Sequence, residues 1–311
     1  MITTRTARLE DCERIAGLAQ AQIATWQRWD AQGRVQDVPY SALTIYERWL
    51  HGGAWMSLET AAIHLGRLLL GAGIALVAEK DGALLGYVEA YQGSEPEPFG
   101  IHLHVGQMIL HPDSGVEVGD HLLEALRTQA RALKCARLLT TAGAGEAAWA
   151  TFARGGARSL TQLRRFGLPA RTGQGLYQSL ADTTTDARVI AGWAMPLGRV
   201  SSARQAWESS WQPTWDVLGE LRERTRRLRF VASGQDAYVV FTRGLYDPRT
   251  VEVACWTPRM LSSALLTALR DWTHREGYRT LTLLATEETV KTLGADAEPD
   301  GYVHDVVGVN A

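Results

Sequence analysis

The sequence predicts an α/β (α+β) protein made of two tandem domains, each a mixed central sheet flanked by helices. Three observations carry this. At 311 residues the chain exceeds one typical domain and suits two of roughly 150. Apolar runs of strand length alternate with stretches of helical periodicity throughout. Finally, the order of elements repeats. Leu122-Leu123-Glu124-Ala125-Leu126-Arg127 lies over Leu265-Leu266-Thr267-Ala268-Leu269-Arg270, and each leads into a strand about ten residues later. Gly155-Gly156-Ala157 likewise echoes Leu293-Gly294-Ala295. Asp182 to Asp186, with three consecutive threonines, is the expected linker, which divides the chain into residues 1–181 and 187–311.

In order, Ile2 to Arg8 reads as a short strand, and Ile15, Leu18, Ala19 and Ile23 follow at helical spacing. Residues 26–73 are irregular and aromatic, with a helix expected over Ser57 to Leu70. Asp81-Gly82 between two apolar runs predicts a hairpin of Ile74–Lys80 and Ala83–Tyr91. A long strand over Ile101–Leu110 ends at His111-Pro112-Asp113. A helix from about Val118 to Leu133 then presents Leu122, Leu123, Leu126 and Ala130 on one face. Ala136–Thr141 is a strand, Glu146–Ala153 a helix, and Ser159–Tyr177 holds strand material. The second half repeats the scheme: strands at Arg229–Ala232, Tyr238–Arg243 and Thr250–Trp256, a helix at Pro258–Arg275 and a strand at Arg279–Ala285.

Composition excludes several classes. With 46% hydrophobic and 21% charged residues the chain has material for two cores, and a formal charge of -2 offers no bulk attraction to nucleic acid or anionic membrane. The run Arg222, Arg224, Arg226, Arg227, Arg229 reads as a solvated helix C-terminus complementing the dipole rather than a nucleic-acid patch. The three cysteines lie more than a hundred residues apart, which argues against a disulfide framework. Met1 to Ala16 has no apolar stretch of a signal peptide, and the longest apolar run, Leu68–Ala78, is too short to span a bilayer. A cytoplasmic protein is expected.

Ile109-Leu110-His111-Pro112-Asp113, then Gly115 to Gly119, then the leucine-rich helix, is similar to the acyl-CoA motif of the GNAT acetyltransferases. Leu84-Leu85-Gly86-Tyr87-Val88 resembles the strand that precedes it. The resemblance covers most of residues 1–180 and, more faintly, 190–311. It implies an acetyl-CoA-dependent N-acetyltransferase without a metal. The acceptor would be a small amine or a protein amino group, and homodimerisation is left open. A helix N-terminus supplies the anion site for the diphosphate, since its first N–H groups lack intrahelical partners and the macrodipole adds positive charge. Here the resemblance places CoA on Leu110 and on the backbone of Gly115, Val116, Glu117, Val118, Gly119, Asp120 and His121. The family's Gln/Arg-x-x-Gly-x-Gly/Ala reads Ser114, Glu117 and Gly119 in this chain, which puts a carboxylate where the diphosphate would sit. No Lys or Arg occurs between Lys80 and Arg127.

Acetyl transfer needs a base for the amine proton and donors for the carbonyl oxygen. Alignment with the family's base position points to His104, with His102 on the same face by strand alternation, and imidazole titrates near neutrality. The family's tyrosine acid falls on Phe152, which has no proton to give. In the second half Trp256-Thr257-Pro258-Arg259-Met260 runs almost directly into the helix, deleting the diphosphate turn, and Val290 stands where a tyrosine would act; no CoA is expected there. Aromatics between Trp26 and Trp55 are candidates for an acceptor pocket or for lid packing. The alternative to an enzyme is a catalytically inactive GNAT-like protein that binds a ligand or partner.

Overall fold

A computed structural model describes residues 1–29 and 33–311. The first half comprises β1 (Ile2–Thr6), α1 (Cys12–Gln20), β2 (Gln27–Trp29), β3 (Val35–Asp37), α2 (Ile45–Trp49), α3 (Leu58–Arg67), β4 (Ile74–Lys80), β5 (Ala83–Glu95), β6 (Gly100–Leu110), α4 (Val116–Ala132), β7 (Arg137–Thr141), α5 (Glu146–Arg154) and β8 (Arg158–Pro169). Then come β9 (Tyr177–Ala181), β10 (Ala194–Leu197), α6 (Ala203–Ala206), α7 (Gly219–Arg224), β11 (Thr225–Ala232) and β12 (Gln235–Arg243). The chain ends with β13 (Thr250–Thr257), α8 (Ser263–Arg275), β14 (Thr280–Thr286), α9 (Glu287–Leu293) and β15 (Glu298–Asn310).

The predicted hairpin forms β4 and β5, with Asp81 at φ 52° and Gly82 at φ 82°, the two left-handed residues that a two-residue turn between twisted strands requires. Its echo, Ser233-Gly234, joins β11 to β12 in the second half. The repeat holds elsewhere: β6 pairs parallel with β7 across α4, and β13 pairs parallel with β14 across α8. Gly156 and Gly294, matched in the sequence, both leave their helices at positive φ.

One sheet runs through both halves in the order β1-β4-β5-β6-β7-β15-β8-β14-β13-β12-β11-β9. The last strand, β15, returns to the first half and lies antiparallel between β7 and β8, while β8 pairs on its other edge with β14. β9, from residues 1–181, likewise pairs with β11, so strands of each half sit in the sheet of the other. Apolar clusters cover both faces of the first half, one under α4 and α5 and one under α1 and α3. A third lies beneath α8, and a tryptophan-rich fourth (Trp207, Trp211, Trp256) covers the other face of the second half.

Two expectations need correction. Only Arg222 and Arg224 of the arginine run are helical; Arg226, Arg227 and Arg229 stand on β11. The half-buried Arg227 pairs with Asp216 at 3.0 Å, while Arg226 and Arg229 stay exposed, Arg229 with Asp236 at 3.1 Å. The helix expected from Pro258 begins at Ser263, because the Ser262 hydroxyl accepts from the Leu265 N–H and caps it there. No helix among the described residues is long and apolar enough to cross a membrane.

Candidate active site

The parallel pairing of β6 with β7 runs only from His102–Arg137 to Val105–Thr140. At that point β6 carries an extra residue, Gly106, between Val105 (opposite Ala90) and Gln107 (opposite Glu89). Such a bulge bends its strand. Beyond it, Gln107 to Leu110 pair with β5 alone, which leaves their other backbone edge without a β7 partner.

A cleft of about 650 Å³ opens along that edge. Its walls include Gln107–His111 of β6 and its end, Gly115 and Val116 at the start of α4, and Gly143–Glu146 after β7, with Arg154 at one side. The helix begins two residues before the expected Val118, with Gly115 as its N-cap. No side chain caps it by a hydrogen bond.

Of the expected cofactor residues, Leu110, Gly115 and Val116 line the cleft. The exposed Glu117 folds its carboxylate back against Gly115, where a Cβ on that glycine would strike it. Val118 and Gly119 are buried beneath the first turn. The exposed Asp120 pairs with Arg154 at 2.9 Å, and His121 is exposed outside the cleft. Asp120 and His121 follow the four leading residues of the helix, so their N–H groups bond within it and are not donors to a ligand.

His102 and His104 do share a face of β6, but both side chains are fully buried and neither lines the cleft. They lie at the seam of the two halves. His102 Nε2 is 3.5 Å from Glu95, which is paired with the buried Arg199 of the second half. Neither ring nitrogen of His104 has a hydrogen-bond partner among the described residues. Burial drives the His104 pKa well below 6.5, with His102, Arg199 and His304 adding repulsion. Phe152 is fully buried in the α4–α5 core, away from any proton-transfer role.

A second cavity, of about 190 Å³, adjoins the first across Gln107, which lines both. Trp49, Trp55, His64, Arg67, Glu89 and Tyr91 wall it from the first half, and Glu208 and Trp215 from the second. Of the aromatics expected here, Trp49 and Trp55 take part. Trp26 instead packs edge-on against Tyr40 and His51, and Trp29 against Tyr246.

At the floor, Glu89 is 3% exposed and receives four donors: His64 Nε2 at 2.8 Å, Tyr87 Oη at 2.9 Å, Tyr91 Oη at 3.1 Å and Trp55 Nε1 at 3.3 Å. Burial pushes its pKa up, but the positive charge His64 carries when protonated, with these hydrogen bonds, outweighs that and holds the carboxyl below its usual range. The same charge and burial push the Tyr87 and Tyr91 hydroxyls well above 10, so both remain donors. Sequence reasoning missed Glu89 and His64. Glu89 sits on a strand that the resemblance marked only as the one before the motif, and His64 is a lone histidine on a helix.

In the second half the corresponding strand edge is covered. Pairing of β13 with β14 stops at Glu252–Thr282, where the strands would part. There β10 adds itself to the edge of β13 through Ala194–Thr257 and Leu197–Cys255, and the Gly198 N–H donates to Leu284 O on β14 at 2.8 Å. Gly198 sits at φ 75° with its α carbon against the Val253 carbonyl, leaving no room for a Cβ. β10 and Gly198 thus cover the strand edge whose counterpart is open in the first half.

The first half, whose central parallel strands part at a bulge above the start of α4, and the second, which repeats its order of elements, make a tandem GNAT-like fold. Residues 23–156 match the model of the acetyltransferase (GNAT) family. Among solved structures, 99% of this chain superposes on 72% of a GCN5-related N-acetyltransferase from Anabaena variabilis, with a TM-score of 0.62 at 10% identity. It likewise covers 71% of a GCN5-related N-acetyltransferase from Kribbella flavida, with 99% of this chain aligned, a TM-score of 0.58 and 13% identity. At these identities the likeness is one of fold. No curated protein sequence matches the chain.

Proposed function

We propose that the protein is an acetyl-CoA-dependent N-acetyltransferase whose active site lies in the first half and whose acceptor is an amine. One observation carries this reading: the cleft along β6 and the aromatic cavity meet at Gln107, so a thioester in one would face an amine in the other. The cleft suits CoA in shape and in donors. The edge of Gln107–Ile109, left by β7, offers backbone groups to an amide-bearing chain, and the N–H groups at Val116 and Glu117 lie at the free end of α4 for a diphosphate. Arg154 is the cation on its wall, although Asp120 shares it.

When bound, acetyl-CoA supplies a reactive thioester: the amine nitrogen forms a C–N bond to the acyl carbon, the C–S bond breaks, and the sulfur leaves with the electron pair. The chain's task is to take the amine's proton and hand it on. His64 does this in our reading. With Nε2–H donated to the Glu89 carboxylate, Nδ1 remains as acceptor, and Glu89 stabilises the imidazolium that results. His104, buried without a partner, takes no part. The test is isothermal calorimetry with acetyl-CoA followed by a thiol-release assay over an amine panel. Binding with turnover supports the reading, and absence of CoA binding sinks it.

The rival, an inactive GNAT-like binding module, draws on the Glu117 carboxylate lying at the mouth of the diphosphate site. It predicts ligand binding in the aromatic cavity without thiol release.

A further inference from the structure

The aromatic cavity narrows the acceptor class, and this step rests on the acyl-transfer reading above. We propose that the acceptor is a compact primary amine with an apolar body and no carboxylate, and that the second half selects it through Glu208 and Trp215.

Size is the first argument. At about 190 Å³ the cavity falls below the roughly 300–1,000 Å³ of pockets that take drug-sized ligands. Its walls are side chains, and Trp55, Glu89, Tyr91 and Trp215 are all less than 10% exposed. A peptide would need room for its own chain and backbone partners along a groove, and neither is present among the lining residues.

Charge is the second. Two carboxylates, Glu89 and Glu208, line the cavity against one guanidinium, Arg67, which is already paired with Glu208 at 2.7 Å. Glu208 is further held by Arg204 at 2.9 Å. Glu89 gathers three of its donors on Oε2 and only the Tyr91 hydroxyl on Oε1, leaving that oxygen capacity for an ammonium N–H. A carboxylate on the ligand would meet these two acids, with the one lining guanidinium already paired.

Ring faces are the third. Trp49 and Trp215 approach with centroids 4.4 Å apart, and Trp55 stands edge-on to His64 at 5.3 Å. Indole faces attract cations and also cover apolar surface. Trp215 belongs to the turn Pro213–Val217 and Glu208 to Trp207–Trp211, both in the second half. In that half the corresponding strand edge is covered, so its contribution here is to close the acceptor site of the first.

The experiment uses the full chain and a series of primary monoamines from n-butylamine to 2-phenylethylamine. Comparators are 2-phenylethanol, phenylalanine and a peptide with a free N-terminus. Calorimetry without CoA should show one or more of the monoamines binding at least tenfold tighter than 2-phenylethanol or phenylalanine. With acetyl-CoA the same amines should be acetylated. Glu208→Gln should raise the amine KM about tenfold while leaving the acetyl-CoA KM unchanged, and Trp215→Ala should shift preference toward bulkier amines. Acetylation of the peptide with no binding of any monoamine would overturn the acceptor assignment and leave the acetyltransferase reading intact. Monoamine binding without thiol release would support the pocket and defeat the enzymatic reading instead.

Discussion

His64 on α3 and Glu89 on β5 stand 2.8 Å apart, on a carboxylate that also holds the hydroxyls of Tyr87 and Tyr91. Four donors converging on one buried acid fix the imidazole's orientation toward the cavity. If this pair moves the amine proton, His64→Ala should lower kcat/KM for the amine by roughly 10²–10⁴-fold with acetyl-CoA affinity retained. Glu89→Gln keeps the shape but removes the charge that favours imidazolium, so it should lower kcat more than it raises KM. Equal, small effects of both would assign the pair to structure alone.

Glu117 offers a test of the cofactor end. Its carboxylate lies against Gly115 at the start of α4, where a diphosphate would approach. Like charges within several ångströms repel. Glu117→Gln, which preserves length and helix propensity, should therefore tighten acetyl-CoA binding about three- to fivefold, read by calorimetry at low salt, with the gain shrinking as salt is added. Unchanged affinity at both salts would mean the carboxylate swings aside when the cofactor binds.

The tandem fold was legible in the sequence because it rests on local signals. The Asp81-Gly82 turn, the leucine face of α4 and its match in α8 each dictate their own geometry. The acceptor cavity was not, because its parts come from distant segments: Trp55, Glu89, Gln107 and Trp215 share no spacing along the chain. His104 misled for a related reason. Strand alternation assigned it a face, but whether that face meets solvent depends on Arg199 and His304, more than ninety residues away, packing over it. The exchange of β15 was equally hidden, since an alternating valine strand names its faces but not its neighbours.

For His104 the outcome follows from burial. Its folded pKa lies well below 6.5, so the unfolded chain takes up the proton first. The stability tied to its neutral form is full above about pH 6.5 and declines as pH drops through that value. His102 and His304, also lowered chiefly by burial, act in the same direction. His104→Leu removes a buried group with two unpartnered nitrogens, so it should leave stability at pH 7.5 equal or higher. It should also flatten the decline of Tm between about pH 6.5 and 5, and change acetyl transfer by less than about twofold. A rate loss above a hundredfold with the fold intact would return the base to His104.

Strand exchange makes the two halves one folding unit. β15 is the neighbour of both β7 and β8, and β8 in turn carries β14 of the second half. A chain ending near residue 181 would expose the facing edges of β7 and β8 and lose Val306, Val307 and Val309 from the cores they fill. A chain beginning near residue 187 would lack both β8, against which β14 packs, and β9, which pairs with β11. Exposed, unpaired strand edges of this length invite aggregation. The ion pair of Glu95 with Arg199, buried and resting on the Phe99 ring, adds a polar contact across the same seam. Calorimetry of the whole chain should show a single unfolding transition whose van't Hoff and calorimetric enthalpies agree. Residues 1–181 or 187–311 expressed alone should be insoluble, and co-expression should restore acetyl-CoA binding that neither fragment shows. Two separated transitions, or a first half that folds and binds acetyl-CoA on its own, would show that the shared strands are dispensable to the site.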